Sequence, residues 1–256
     1  MPNAEPGIPV ALQMYSVREE AARDFLGTLK AVAAVGYESL ELSGYGGLTA
    51  AELRNVLNGL GLRALSNHVA LPLLRSTLDG VIDDCLSLGC RYLVCPWLPQ
   101  DERGDAASYR RLAAELTAMG RRCRERGLGF AYHNHDFEFV QVDGRYALDT
   151  LLEAADAQAV KSELDVYWAY FAGVDPVQVL GHLGSRCAIV HLKDMVKDNS
   201  RTFAEVGEGR LDFPAIFAAA RAAGVEFYVV EQDLCRRPAL ESIAISLENL
   251  RSWGIA

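Results

Sequence analysis

The chain has six cysteines but no CxxC pair, only five histidines, and no apolar run approaching the roughly 20 residues of a membrane span. The cysteines are Cys85, Cys90, Cys95, Cys123, Cys187 and Cys235, and several sit in aliphatic runs such as Tyr92-Leu93-Val94-Cys95. That usage predicts buried free thiols in a reducing compartment and argues against a disulfide-stapled scaffold. Met1 to Pro9 holds three prolines but neither a basic start nor an apolar stretch, so no export signal is read there and a cytoplasmic protein is expected. Basic charge is short too: 25 Lys and Arg stand against 34 Asp and Glu, a net charge of −9. This balance opposes binding to a nucleic-acid backbone or an anionic membrane surface. The most basic run, Arg121-Arg122-Cys123-Arg124-Glu125-Arg126, lies late in an amphipathic helical stretch, where cations suit the helix dipole and solvent. No Pro/Ser/Gly linker divides the chain, and no glycine-rich phosphate motif follows its first strand-like run.

What the chain does have is alternation. Half of its residues are hydrophobic, enough to bury a large core. Short aliphatic runs alternate with longer amphipathic ones, the pattern of repeated βαβ units around a parallel sheet. Strands are predicted over Val10–Tyr15, Ser39–Leu42, Arg63–Asn67, Tyr92–Cys95, Gly129–Asn134, Val160–Asp165, Ala188–Lys193 and Phe227–Glu231. Helices are predicted over Phe25–Val35, Ala50–Leu60, Leu78–Leu88, Ser108–Arg126, Asp175–Leu183, Phe213–Ala223 and Pro238–Leu250. Gly36, Gly61, Gly89, Gly127 and Gly224 follow helices, where a left-handed residue ends the helix and turns the chain toward the next strand. Eight such units predict an α/β fold, one closed (β/α)8 TIM barrel spanning 1–256 as a single domain, rather than an open doubly wound sheet. Phe137–Val142 followed by Asp143-Gly144 reads as a hairpin inserted after the fifth strand, over the catalytic face.

A barrel places its chemistry at the C-terminal ends of its strands. The fifth strand ends in Tyr132-His133-Asn134-His135-Asp136-Phe137-Glu138, where His133 and His135, two apart, point the same way. The sixth ends in Glu163-Leu164-Asp165; two inward carboxylates there need a cation or donors, which a metal or an internal salt bridge to Lys161 or Lys193 would supply. The seventh gives His191 and Lys193 on one face, and the eighth gives Glu231 at the end of an apolar run. Mixed imidazole and carboxylate ligation suits Mn²⁺, Zn²⁺, Co²⁺ or Fe²⁺ better than an all-oxygen Ca²⁺ site; Mn²⁺ is the first choice, and Mg²⁺ is also admissible. Its use would be to polarise a carbonyl or hold two vicinal oxygens, lowering the cost of an enediolate while a side chain moves the proton. His135, Glu231, Lys193 and Glu138 are the candidates for proton transfer. His68 and Glu163 are candidates for binding substrate hydroxyls, and Tyr15, Trp97 and Trp168 for the apolar side of a sugar ring. The glycines of Glu205-Val206-Gly207-Glu208-Gly209 would let that loop close over a ligand, or simply turn.

Leu12-Gln13-Met14-Tyr15-Ser16-Val17-Arg18, Gly36–Leu42, His133–Phe139, Leu164–Trp168, His191-Leu192-Lys193-Asp194 and Val206–Gly209 carry a family resemblance. With them the chain resembles, along nearly its whole length, the xylose-isomerase-like sugar phosphate isomerase/epimerase superfamily. The resemblance implies a metal bound by one residue from each of strands five to eight, and Asp165, His191 and Glu231 fall at the last three of those positions. At the fifth-strand position, where epimerases of this superfamily typically carry a glutamate that binds metal and exchanges a proton, this chain has His133. The fourth ligand is therefore His133, Glu138 or Glu163. Trp168 stands where many members have a substrate-binding histidine. The first function implied is metal-dependent isomerisation or epimerisation of a sugar or polyol ketone. The alternative is a lyase of the inosose dehydratase or keto-glycoside type, which separate acid and base candidates such as Lys193 and His135 fit better. The expected partner is a small, unphosphorylated carbohydrate or polyol, with no nucleic acid and no membrane; a homo-oligomer is compatible with this reading. The endonuclease branch that cuts at abasic sites is opposed by the acidic charge, and a non-catalytic sugar binder would not need so many ionisable groups at one mouth.

Overall fold

Short runs such as Tyr92-Leu93-Val94-Cys95 are apolar on both faces, so they are stable only where both faces are covered. In the computed structural model, which describes residues 7–256, eight such runs form parallel strands. They are β1 (Val10–Gln13), β2 (Ser39–Leu42), β3 (Arg63–His68), β4 (Tyr92–Cys95), β5 (Gly129–His133), β6 (Lys161–Asp165), β7 (Cys187–Leu192) and β8 (Phe227–Val230). Each pairs with its neighbours in chain order, and β8 closes on β1 through Val10, Ala11 and Leu12 opposite Tyr228, Val229 and Val230. The first six residues of the N-terminal stretch read for an export signal lie outside the described residues.

Strand alternation divides the core in two. Outward residues such as Leu12, Leu40, Phe130, Leu164 and Val190 pack under the helices in one large cluster. Inward residues Ala11, Leu65, Tyr92, Val94, Ala131, Ala188, Ile189, Phe227 and Val229 form a separate apolar plug inside the barrel. Two residues further along four strands the inward position turns polar: Ala11 is followed by Gln13, Ala131 by His133, Ile189 by His191 and Val229 by Glu231, all buried. The plug is thus the floor on which a polar layer stands at the C-terminal strand ends.

The helices over Phe25–Val35 and Phe213–Ala223 match their predicted spans. Gly36, Gly89 and Gly224 adopt the left-handed conformation at their helix ends. The helix predicted from Leu78 begins at Leu71 and is broken at Thr77, whose φ of −141° is not helical. The helix over Ala147–Ala154 has no counterpart among the predicted spans. β1 ends at Gln13 rather than Tyr15, because the Gln13 side chain accepts the Tyr15 N–H and winds Met14–Val17 into a 3-10 turn. The expected hairpin is shorter: Gln141–Val142 pairs with Arg145–Tyr146, and Phe137–Phe139 is a 3-10 turn instead of a strand.

Asp194 explains the glycines of the loop after β7. Its carboxylate accepts the N–H groups of Met195 (2.7 Å), Gly207 (3.1 Å), Gly209 (2.9 Å) and Leu211 (3.1 Å). A Cβ on Gly209 would stand 2.2 Å from Asp194 Oδ1, so the chain wraps that carboxylate only with glycine there. Lys193, one residue earlier, is thereby fixed by a loop organised around its neighbour. The Arg121–Arg126 run pairs with Asp156, Asp79 and Asp83, and all six cysteines are free thiols, five of them buried. No described helix is long and apolar enough to cross a membrane.

Candidate active site

At the C-terminal strand ends, ionisable side chains converge from six strands or the residues just after them. His191, fully buried, stands at the centre: its Nδ1 is 2.9 Å from Glu231 Oε2, and its Nε2 is 2.7 Å from Glu41 Oε1 and 2.9 Å from Glu163 Oε1. His133 Nδ1 lies 2.9 Å from Glu163 Oε1 and its Nε2 3.7 Å from Asp165 Oδ2. His68 Nε2 reaches Glu163 at 2.6 Å and Glu41 at 3.1 Å. Lys193 Nζ sits 2.7 Å from Glu231, 3.0 Å from Asp165 and 3.2 Å from Asp233. Lys161, the other lysine considered, bonds the Ser185 carbonyl instead.

The charges explain the protonation states. Burial opposes ionisation of His191, but the carboxylates of Glu163 and Glu41 outweigh it and raise its pKa well above the usual imidazole value. The same opposition, with Glu41 and Glu163 prevailing, lifts His68 to about 10. Burial also works against the Lys193 ammonium, yet Asp165, Asp233 and Glu231 hold it charged. His133 faces burial and neighbouring positive groups, and His135 burial and Lys193; His133 is pushed well down and His135 to about 3, so both rings are neutral. Asp165 is raised, chiefly by burial.

Four carboxylates, Glu41, Glu163, Asp165 and Glu231, are thus buried around His68, His191 and Lys193. Glu163 Oε2 and Asp165 Oδ2 have no hydrogen bond among the described residues; Asp165 Oδ2 has the Lys193 ammonium near it but not aligned to donate. Buried acceptors without donors are costly, and a cation between them would satisfy both. Ligand atoms of His133, Asp165, His191 and Glu231 all lie within 4.8 Å of one another, as do those of His68, His133, Glu163 and His191. Ligands on opposite sides of one ion are separated by at most about 4.6 Å at bond lengths of about 2.0–2.3 Å, so either set needs only slight contraction. The donor chemistry fits a divalent metal, and the two sets share His133 and His191.

A cavity of about 930 Å³ opens above this layer, lined near its base by His68, His133, His135, Lys193, Glu231 and Asp233. Tyr15, Trp97 and Trp168, expected at a sugar-binding mouth, also line it. Glu163 does not: it is fully buried beneath His68 and His133. Glu138, expected as a proton carrier or fourth ligand, is corrected by the structure. It turns behind β5, where it accepts the Tyr132 hydroxyl (2.5 Å) and the His135 N–H (2.7 Å), and it touches neither candidate ligand set. Those bonds also draw Phe137–Phe139 into its turn, and no residue of the following hairpin lines the cavity. Sequence reasoning missed Glu41 and Asp233. Glu41 was detectable as a lone acid inside the aliphatic run Ser39-Leu40-Glu41-Leu42.

Burial raises the Glu138 carboxyl to about 7 although its hydrogen bonds favour the anion. A carboxyl whose folded pKa lies above its unfolded one stabilises the fold while protonated, and that stability is lost as pH rises from about 4.5 to about 7. Glu138→Gln keeps an acceptor for His135 and stays neutral. In denaturant unfolding at a series of pH values, the variant should gain on the wild type across that window by up to about 3 kcal/mol. Parallel curves would show that the Glu138 carboxyl titrates alike in the folded and unfolded chain.

A family model described as xylose isomerase-like TIM barrel matches residues 29–253. The chain belongs to that family. It is 27% identical to an inosose dehydratase of Geobacillus kaustophilus over 228 residues, covering 74% of this chain and 73% of that one. To the inosose dehydratase of Geobacillus thermodenitrificans it is 30% identical over 135 residues, less than half of either protein (46% and 45%). Among solved structures, a sugar phosphate isomerase/epimerase from Parabacteroides distasonis superposes with a TM-score of 0.85 at 26% identity, over 98% of this chain and 96% of that one. The family is one of enzymes, with isomerases, epimerases and inosose dehydratases among the relatives.

Proposed function

We propose that the chain is a divalent-metal-dependent lyase acting on a ketone of a sugar or cyclic polyol, removing water or an alcohol from the carbon β to the carbonyl. The observation that carries this reading is the asymmetry of the mouth. The carboxylates at the base of the cavity, Glu231 and Asp233, both come from the end of β8, whereas β5 offers only imidazoles. A symmetrical exchange between two opposed carboxylates, which epimerisation of either face would use, finds no carboxylate on β5 opposite Glu231 among the described residues lining the cavity. Elimination needs two unlike groups, one to take a proton and one to give one. The similarity to inosose dehydratases supports the same reading.

Asp165, His191 and Glu231, with His133 as the fourth, are the residues we assign to the metal; Glu163 is the alternative fourth ligand. A divalent cation bound there would supply Lewis-acid polarisation of the substrate carbonyl. Neutral His135, whose Nδ1 has no hydrogen-bond partner among the described residues, takes the proton from the carbon next to the carbonyl. Lys193, held as an ammonium, gives a proton to the departing oxygen as the β C–O bond breaks, so that water or alcohol leaves and a C=C bond remains. Trp168, between them with its ring 5.5 Å from that of His135 and 5.9 Å from Lys193 Nζ, limits water at the reacting carbons. His68 is fixed by Glu163 and Glu41 to donate to a substrate hydroxyl.

Incubating Mn²⁺-loaded protein in D₂O with a panel of keto-sugars and inososes tests this. Loss of water or aglycone with a new enone absorbance is the expected result. Recovery of an epimer or aldose–ketose isomer carrying deuterium, without elimination, would replace the lyase by the isomerase that the Parabacteroides neighbour's description suggests.

A further inference from the structure

Large apolar side chains that remain exposed are gathered at one place. Of the seven that are exposed among the described residues, four line the cavity: Tyr15 (44%), Leu73 (49%), Trp97 (45%) and Leu234 (65%). Contiguous exposed apolar surface beside a polar reaction centre is the usual mark of a binding surface. The cavity's volume of about 930 Å³ is near the top of the range of roughly 300–1,000 Å³ that holds drug-sized ligands of several rings. One sugar ring seated on the His and carboxylate layer leaves this outer part unfilled.

The two aromatic rings of the rim are held in place. The Arg18 guanidinium stacks on Tyr15, 4.2 Å from the ring centre, and is itself fixed by the carbonyls of Tyr15 (3.0 Å) and Asp233 (2.8 Å). Arg103 lies 5.0 Å from the Trp97 ring centre and 3.4 Å from that of Phe137, with its Nε donating to the Leu98 carbonyl at 3.0 Å. Each ring therefore has a guanidinium against it, which restricts its motion and preorganises the rim of the cavity. A break in the helix at Thr77 sets the turn bearing Leu73 apart from the straight segment below, which places Leu73 on the same rim. Among the described residues Lys193 is the one lysine or arginine side chain lining the cavity, and three carboxylates already hold it, so it offers no free charge to an anionic substituent in the outer part.

We propose that this outer part is a subsite for a neutral aromatic group attached to the polyol, so that the substrate is an aryl conjugate and not a free monosaccharide. The proposal rests on the carbohydrate reading above and deepens it. The departing alcohol of the elimination would then be the aromatic portion or a group that carries it, lying between Tyr15, Leu73, Trp97 and Leu234.

Calorimetric titration of the Mn²⁺-loaded protein with glucose, phenyl β-glucoside and phenol tests the idea without requiring turnover. The phenyl glucoside should bind at least about tenfold more tightly than glucose, in keeping with an aromatic contact added to a sugar. In Trp97→Ala that ratio should fall toward one, and in Leu73→Ser and Leu234→Ser it should fall in part; all three positions are half exposed, so the fold tolerates the changes. Equal affinity for glucose and its phenyl glucoside overturns the subsite while leaving the carbohydrate reading intact. Phenol binding as tightly as the glucoside keeps the subsite and overturns the carbohydrate reading. A self-associated wild type that Trp97→Asp converts to monomer, with no change in the affinity ratio, shows the rim to be a contact between copies and overturns the proposal.

Discussion

Replacing His191 with alanine is expected to strip the chain of bound divalent metal and to lower turnover by at least about a thousandfold, the scale of losing several kcal/mol of charge stabilisation at the reacting oxygen. His191 belongs to both sets of converging ligand atoms and is the most densely bonded imidazole of the cluster, lying 2.7–2.9 Å from Glu41, Glu163 and Glu231. His133→Ala should also lose metal, because His133 is the other shared member. The two sets separate at their remaining members. If the ion is held by His133, Asp165, His191 and Glu231, then Asp165→Asn and Glu231→Gln lower metal content while His68→Gln leaves it near wild type. Atomic absorption of dialysed protein reads this directly. Metal retained in Asp165→Asn and Glu231→Gln but lost in His68→Gln would move the ion toward Glu163 and reassign the ligands. Circular dichroism of each variant guards against loss of fold, since every one of these side chains except His68 is buried.

The barrel and most of this cluster were legible in the sequence for one reason: period-two alternation on short strands fixes which residues share the interior. Given β6, the reading that Glu163 and Asp165 face inward together follows from spacing alone, as does the shared face of His191 and Lys193. That logic did not extend to Glu138, which was named as a proton carrier or fourth ligand without a strand to place it. Alternation holds only while the chain is a strand, and beyond His133 the hydrogen bonds of Glu138 to Tyr132 and the His135 N–H wind the chain into a turn. Glu41 and Asp233 escaped notice for different reasons. Glu41 has no second ionisable group two residues away on its own strand and gains meaning only when His68 and His191 arrive from β3 and β7, and Asp233 lies three residues beyond the end of β8, where alternation no longer says which way a side chain points. Pairing between distant strands is the information that local pattern lacks. The cavity was the least legible feature, because its outer wall comes from loops after β1, β2, β3, β4 and β8 whose paths follow from capping and stacking contacts.

Lys193→Met should separate the lysine's part in holding the site together from its part in the reaction. In the wild type the ammonium bridges Asp165, Glu231 and Asp233 at 2.7–3.2 Å. Removing one partner of a buried ion pair typically costs about 3–5 kcal/mol, since the carboxylates left behind remain desolvated. For a chain of this size that corresponds to a fall in Tm of roughly 6–15 °C for metal-free protein. A divalent cation supplies the same carboxylates with the missing charge, so Mn²⁺ should restore more of the melting temperature in the variant than it adds to the wild type. Metal affinity should rise, because Lys193 and the ion repel each other across the shared oxygens of Asp165 and Glu231. Turnover should nevertheless fall by about a hundredfold or more, the usual effect of losing a positioned acid. Tighter metal with slower elimination distinguishes the acid from a structural counterion, which would lose stability and metal together. Unchanged turnover in metal-loaded Lys193→Met would pass the acid's role to another group at the mouth, with Asp233, raised to about 6 mainly by burial, the next in line.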